Sequence, residues 1–502
     1  MYMKKGRKIF IFCLMVVTSI GLIAQPATER KPVSGLPFEV SESKRLNVKD
    51  VEKKKEGWYP TGLPLVNSDP NTGIGYGARV LLFNNKSKSD PFFEYTPYRT
   101  RIFAQYFNTT KNYQYHWISL DSPYIADSKW RVRADAIYES NPVAMYFGRG
   151  KEAMQTLSYH PMNDYSQPLN TNTRFGATEE ALAYTRPANP NEIQYHENPQ
   201  LNSVISQSLP LRPTQVTDKK YYRYDNKTPQ FLASAEHSFF GGTVRTVGGV
   251  RFAKNIINFY DGEIYNSPSS LTNKSMFIGE TPVVQGKTKL KEDCEAKKIR
   301  GCEGGYVNQL RIGLVYDTRD FEPDPNKGVF AEITHDRTMK AMGSNYEYNK
   351  TWAQGRIFIS PAPRTFEKLV IAARAAVGRT SGDAPFYEYR NFWGTEGTVS
   401  GLGGLRTLRG YKQDRFVGPV VGFYNLELRW KFYEVPGFAF NLVPFVDAGR
   451  VWDKTSEMGL KGYKYSKGIG LRIAWNQATI IMIDYARSRE DSQLFVNFNH
   501  IF

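Results

Sequence analysis

Val421-Gly-Phe-Tyr-Asn-Leu-Glu-Leu-Arg-Trp-Lys-Phe432 is the stretch from which the fold can be read. Successive side chains on a β-strand point to opposite faces. One face here would carry Val421, Phe423, Asn425, Glu427, Arg429 and Lys431, and the other Gly422, Tyr424, Leu426, Leu428, Trp430 and Phe432. One side is therefore mostly polar, and the other is apolar with an aromatic end. A soluble sandwich strand can alternate in the same way, so the decision rests on repetition. Gly468–Asn476 sets Gly468, Gly470, Arg472 and Asn476 against Ile469, Leu471, Ile473 and Trp475. Gln309–Asp317 sets Gln309, Arg311 and Asp317 against Leu310, Ile312, Leu314 and Tyr316. Charges placed repeatedly opposite a continuous apolar face fit a wet interior and a lipid-facing exterior. A sandwich would turn the apolar face inward and needs no aromatics at its strand ends.

Working outward from these segments, runs of similar length separated by Gly, Pro, Asn and Asp begin at Trp58 and continue to residue 502. They predict sixteen strands, from 58–67 to 493–502, with the fifth and sixth at 128–140 and 229–240. An even number puts both ends of this region on the periplasmic side. The connections agree: Gly241–Gly242, Glu434–Gly437 and Asn476–Ala478 are short, and the long ones, near 141–228, 258–305 and 380–418, fall outside. The expected fold is thus all-β, a 16-stranded antiparallel transmembrane β-barrel. The final strand carries Leu494, Val496, Phe498 and Phe502 on one face, a terminal signal that predicts the Phe502 ring in the interfacial girdle.

Composition points the same way. Among 502 residues there are 32 Tyr, 31 Phe and 41 Gly, a mixture suited to strands, turns and aromatic girdles. The one apolar run near spanning length, Ile9–Ile23, follows Lys4, Lys5, Arg7 and Lys8, so residues 1–24 read as a signal peptide. Residues 25–57 read as a short periplasmic N-terminal segment, and 58–502 as the barrel domain. The formal charge of +17 invites a nucleic-acid reading, but the basic residues are dispersed and an exported chain meets no chromosome. Anionic outer-membrane lipids are the expected partners of such a surface. Cys294 and Cys302 read as a short-loop disulfide in an oxidising compartment. No His or further Cys beside them suggests a metal, and no phosphate-binding loop, zinc-protease helix or nucleophile elbow is present in the sequence. Neither a cofactor nor catalysis is expected.

The most informative loop segment is Gly403-Gly404-Leu405-Arg406-Thr407-Leu408-Arg409-Gly410-Tyr411, which is less polar than a solvated loop should be. Here the chain resembles the BamA/TamA-type superfamily of outer-membrane assembly and polypeptide-transport barrels. In that family a loop bearing a Val/Leu-Arg-Gly-Phe/Tyr tetrad folds back into the lumen, and Leu408-Arg409-Gly410-Tyr411 matches it. Asp317-Thr-Arg319-Asp320 with Pro325-Asn-Lys-Gly328 resembles the family's turn between two strands. Phe445-Val-Asp447-Ala-Gly449 resembles the strand whose Asp receives the loop Arg, and Gly468-Ile-Gly470-Leu-Arg472 the strand after it. The resemblance implies an inward-folded loop with Arg409 paired to Asp447, and with Glu427, Gly449, Gly468, Gly470 and Arg472 on the wall that receives it. A guanidinium held away from water requires such a carboxylate in any case.

What the resemblance implies about function is insertion or translocation of proteins at the bacterial outer membrane. The family's polypeptide-transport-associated domains are complete small folds, and 25–57 is too short for one, so a separate periplasmic protein partner is expected to receive the client polypeptide. Two other readings stay open: a plugged, surface-exposed barrel with a surface-antigen or adhesion role, and a lipid-handling barrel.

Overall fold

Alternation between apolar and polar residues sets which side of each strand meets lipid, and the computed structural model follows it closely. The described residues are 33–46, 48–69, 72–156, 215–217, 220–265, 283–320, 322, 324–361, 369–435, 438–476, 479–498 and 501–502. The expected signal peptide, 1–24, lies outside them. Sixteen antiparallel strands close into one barrel, each paired with its sequence neighbour. They are β1 (Trp58–Asp69), β2 (Gly73–Asn84), β3 (Thr100–Thr109), β4 (Gln114–Ser122), β5 (Trp130–Met145), β6 (Arg223–Phe239), β7 (Val244–Asn258) and β8 (Gly305–Asp317). The second half comprises β9 (Gly328–Thr338), β10 (Tyr348–Ile359), β11 (Leu369–Gly382), β12 (Val420–Val435), β13 (Phe438–Trp452), β14 (Lys464–Asn476), β15 (Thr479–Ser488) and β16 (Ser492–Phe498).

On β12 the two faces separate as the sequence requires. Tyr424, Leu426, Leu428 and Trp430 are 39–51% exposed, whereas Asn425, Glu427 and Arg429 are at most 4% exposed. The exposed apolar side chains of the other strands form the same outward band, bounded at one end by Trp58, Trp130, Phe239, Phe432 and Phe438. Tyr76, Tyr106, Tyr306 and Tyr465 bound it at the other, giving two aromatic belts. β5 and β6 run further out than the sequence indicates, to Met145 and from Arg223. Their register shifts between Asn141 and Ala144, which breaks the period-2 pattern at the point where the sequence reading stops.

Strand pairing is long everywhere except at the closure. β1 and β2 pair from Trp58–Asn84 to Asp69–Gly73. Among the described residues, β1 and β16 share the single register pair Ser68–Val496, near the outer end.

The described residues of 33–57 dock on the turns that follow β2, β4, β6 and β8. Phe38 packs on Phe92, whose ring stacks on Tyr124 at 4.7 Å. The Ser41 N–H donates to the Gly241 carbonyl, and Lys44 pairs with Asp317 at 3.1 Å. Lys54 donates to the carbonyls of Phe93 and Thr96 at 2.6 and 2.7 Å. Burial there pushes its ammonium down to about 7.

The expected girdle position of Phe502 is not observed. Its ring is 8% exposed and packs among Phe358, Val370, Ala372 and Met482, all on inward rows. Arg374 and Arg429 stack on it at 4.8 and 5.3 Å, and Arg429 also donates to its carbonyl at 3.0 Å. An aromatic ring offered two inward-facing guanidiniums gains cation–π contacts that the lipid interface does not supply.

Candidate functional site

The connection between β11 and β12 does not lie over the barrel as an ordinary loop. Its hairpin, Asn391–Gly394 paired with Gly397–Ser400, reaches the inward rows near the end of the barrel where β8 turns into β9. Trp393 packs among Val247, Val315 and Phe330, and Thr334 donates to its carbonyl at 2.7 Å. The Thr395 N–H donates to Glu332 at 2.8 Å. Glu396 at the tip accepts from Arg319 and Arg356, both at 2.5 Å. Arg319 is in turn braced on Asp317, so the Asp317-Thr-Arg319 turn clamps the hairpin tip. Higher up, Glu388 is held by Arg251 at 2.9 Å and Lys350 at 2.6 Å.

The segment that follows turns back sharply. Gly403 and Gly404 both have positive φ, which a side chain would strain, and the Gly404 N–H donates to the Tyr411 carbonyl. Leu408 and Tyr411 pack with Leu402, Phe416 and Phe423, all nearly inaccessible, and the Tyr411 hydroxyl donates to the Tyr465 carbonyl. Gly410 lies so close to β15 that a Cβ would fall 3.0 Å from the Ser488 nitrogen.

This fold-back delivers Arg409, fully inaccessible, to three carboxylates on three strands. Its Nε and Nη2 donate to Asp447 at 2.8 and 2.9 Å, a bidentate pair. Its Nη1 donates to Glu427 and to Asp484, both at 2.8 Å. Its own backbone N–H also donates to Asp447. The guanidinium lies 3.4 Å above the Phe445 ring centroid. Arg429 pairs with Glu427 at 2.9 Å, and Arg472 with Asp484 and, at 3.7 Å, with Glu427. Three guanidiniums thus balance three carboxylates, and Asn425 donates to Asp447 at 2.7 Å. Unpaired, any one of these charges would be expensive in such an enclosed place; paired, they form a lock of fixed geometry.

The glycines of the wall make room for it. A Cβ on Gly470 would fall 2.1 Å from Asp484 Oδ1, and one on Gly468 would meet the Phe445 ring at 2.3 Å. Gly449 admits Leu402. All six wall residues named from the sequence, Glu427, Asp447, Gly449, Gly468, Gly470 and Arg472, therefore sit under or beside the loop. Sequence reasoning missed Asp484, Asn425 and the ring of Phe445 beneath the guanidinium. Asp484 had a usable signal: it is a carboxylate on the inward row of 479–488, in register with Gly470.

Cys294 and Cys302 are disulfide-bonded with Cα atoms 6.1 Å apart, remote from this lock on the outer loops. With Tyr346 they pack beside a buried cluster that includes Leu290, Ile299 and Tyr387. The Phe502 ring lies at the other end of the inward rows, and the Phe498 side chain is outside the described residues.

The family described as "Omp85 superfamily domain" matches residues 101–499. A second, described as "Domain of unknown function (DUF5982)", matches 36–99, which is the docked N-terminal segment with β1, β2 and the turn between them and β3. No curated protein matches the chain. Solved structures similar in fold include BamA from Haemophilus ducreyi lacking POTRA domains 1–3, with 13% identity and a TM-score of 0.47, covering 89% of this chain and 70% of that one. CdiB from Escherichia coli gives 10% identity and a TM-score of 0.48, with 89% and 64% covered. CdiB from Acinetobacter baumannii gives 10% and 0.44, with 89% and 60% covered, so this chain spans less than two thirds of either CdiB.

Proposed function

Since this chain belongs to the Omp85 superfamily, we propose that it sits in the bacterial outer membrane and assists insertion or translocation of other polypeptides, together with a separate periplasmic partner. The observation that carries this reading is the closure. Every other strand pair zips over a long run, while among the described residues β1 and β16 share the Ser68–Val496 pair. Among the described residues, parting that seam breaks the pairing at Ser68–Val496, at about 1 kcal/mol net per backbone hydrogen bond, and it would present strand edges to an incoming chain. A passive pore fits less well, because the hairpin at 391–400 and the Arg409 lock occupy the lumen. The two aromatic belts suit the barrel to outer-membrane lipids.

Depletion of the protein followed by quantitative proteomics of isolated outer membranes tests the reading. Loss of several other outer-membrane proteins is expected. An unchanged membrane proteome would overturn it.

One feature favours a second reading, a surface-exposed barrel that contacts host or neighbour. The outer loops build their own cap, with a three-stranded sheet from 215–217, 264–265 and 283–285, the helix Lys289–Glu295 and the Cys294–Cys302 bond. Altered surface binding with an unchanged membrane proteome would support it.

A further inference from the structure

The lumen is filled unevenly. On β8–β15 the inward side chains Gln309, Glu332, Trp352, Arg374, Asp447 and Asp484 are all at most 4% exposed. Along β1–β4 part of the inward row stays accessible: Thr61 is exposed and Arg79, Leu81, Arg101, Gln105 and Trp117 are part-buried, while Leu65, Phe103, Phe107, Ser119 and Asp121 between them are buried. These part-buried side chains line a cleft on the β1 side of the barrel interior, floored by the buried Phe103 ring.

Among the described residues, the positive charge of this cleft is only partly neutralised. Arg79 donates its Nε and Nη2 to Gln105, a neutral acceptor, at 3.0 and 2.5 Å. Among the described residues it has no carboxylate at ion-pair distance, and its Nη1 makes no hydrogen bond. Arg101 approaches Asp121 only at 3.6 Å, and that carboxylate already serves Arg131 at 2.7 Å and Arg133 at 3.5 Å. Arg406 projects exposed from the lumen loop, with a 3.5 Å contact to the Thr398 carbonyl and no carboxylate partner among the described residues. Of the neighbouring inward carboxylates, Asp135 accepts from the Trp117 indole at 2.8 Å and Glu139 from the Tyr113 hydroxyl at 3.4 Å.

The cations are also mounted on aromatic faces. Arg79 lies 4.8 Å from the Phe103 ring centroid and 5.7 Å from that of Trp117. Arg101 lies 5.4 Å from the same Phe103 ring and 5.1 Å from that of Tyr98. Two guanidiniums sharing one ring repel each other, a cost that an anion between them would relieve. Stacking holds each guanidinium by its face and leaves its N–H edge to donate.

We infer that this cleft is a binding site for an extended polypeptide segment bearing acidic side chains, whose carboxylates engage Arg79 and Arg101 while its apolar side chains lie on the neighbouring rings. The inference rests on the proposed function and names the chemistry of the segment handled there. A polypeptide is favoured over a phosphate group by the layout. The cations are spread over two strands and a loop, each on its own ring support, rather than gathered round one point with backbone N–H groups as a phosphate site would be. Spaced carboxylates on one extended chain match that spread.

The test uses the full chain in detergent micelles. The probe is a short rhodamine-labelled peptide of alternating Glu and Tyr, read by fluorescence anisotropy; its Lys/Tyr counterpart and inorganic phosphate are the comparators. Binding of the acidic peptide should weaken with salt. It should fall about tenfold or more in Arg79→Gln/Arg101→Gln, corresponding to loss of one charge-assisted contact or more. Arg79→Lys should recover part of it, and heat-modifiable gel migration confirms that each variant is folded. Equal binding of the Lys/Tyr peptide, unchanged affinity in the double variant, or displacement by phosphate as effective as by unlabelled peptide would overturn the inference. Such a failure would leave the effect of depletion on the membrane proteome intact, whereas failure of the proposed function would remove that effect and leave peptide binding in place.

Discussion

Replacing Arg409 by Ala is the perturbation whose size the structure specifies best. The substitution removes a fully inaccessible guanidinium that donates to Asp447, Glu427 and Asp484. Two of these carboxylates keep another cation: Glu427 retains Arg429, and Asp484 retains Arg472. Among the described residues Asp447 keeps Asn425 and the backbone N–H of residue 409. The loss is therefore that of one buried charge left unpaired, about 3–5 kcal/mol, and not three times that. Asp447→Ala leaves Arg409 with two carboxylates and should cost somewhat less. With Asp447 already gone, removing Arg409 strands no carboxylate, because Glu427 keeps Arg429 and Asp484 keeps Arg472, so Arg409→Ala/Asp447→Ala should resemble the worse single variant, with a coupling of about 2 kcal/mol or more. Urea unfolding of detergent-solubilised protein, followed by heat-modifiable gel migration and tryptophan fluorescence, supplies the four free energies of the cycle. Additivity within about 0.5 kcal/mol would refute the pairing.

Three further outcomes follow from other parts of the molecule. Glu396→Gln removes the charge that holds the hairpin tip to Arg319 and Arg356, so ion conductance through the lumen in planar bilayers should rise severalfold; an unchanged conductance would mean that the tip does not stopper the lumen. Burial lowers the Lys54 ammonium to about 7 against an ordinary value near 10.4, so between those values the undocked segment binds more protons than the docked one. Docking should tighten by on the order of 1–2 kcal/mol as pH rises from about 7 to about 9, after allowance for partial exposure, and stay flat below. Limited proteolysis of 33–57, normalised to a free peptide of the same sequence, measures this, and Lys54→Met should abolish the pH dependence. Cys294→Ser/Cys302→Ser opens a loop of separation 8, worth about 2.5 kcal/mol on chain entropy. Proteolysis should quicken at the outer cap while heat-modifiable migration of the barrel stays unchanged.

Much of this was legible because a barrel in lipid leaves few choices: every strand must alternate, and the alternation at 421–432 alone assigns Asn425, Glu427 and Arg429 to the inside. Arg409 could be matched to Asp447 because a loop cation taken from water needs a carboxylate. Asp484 escaped because three carboxylates on one guanidinium is not a pairing that strand patterns suggest. The hairpin at 391–400 escaped for a different reason. Its arms, Asn-Phe-Trp-Gly and Gly-Thr-Val-Ser, are too short to show a period, and their polar partners come from distant strands. The segment 33–57 shows no core of its own, because its apolar residues pack on Phe92, Tyr95 and Tyr124, which belong to the turns. Phe502 was misplaced because strand pattern says nothing of guanidiniums waiting on the inward face.

The claim that matters most is that the seam between β1 and β16 parts during function. Cysteines replacing Ser68 and Val496, the paired residues at that seam, would lock it on oxidation. Cells carrying only the Ser68→Cys/Val496→Cys protein should lose other outer-membrane proteins under oxidising conditions and regain them with reductant, while cells with the wild-type protein respond to neither. A fully cross-linked barrel that sustains a normal outer-membrane proteome would contradict the claim.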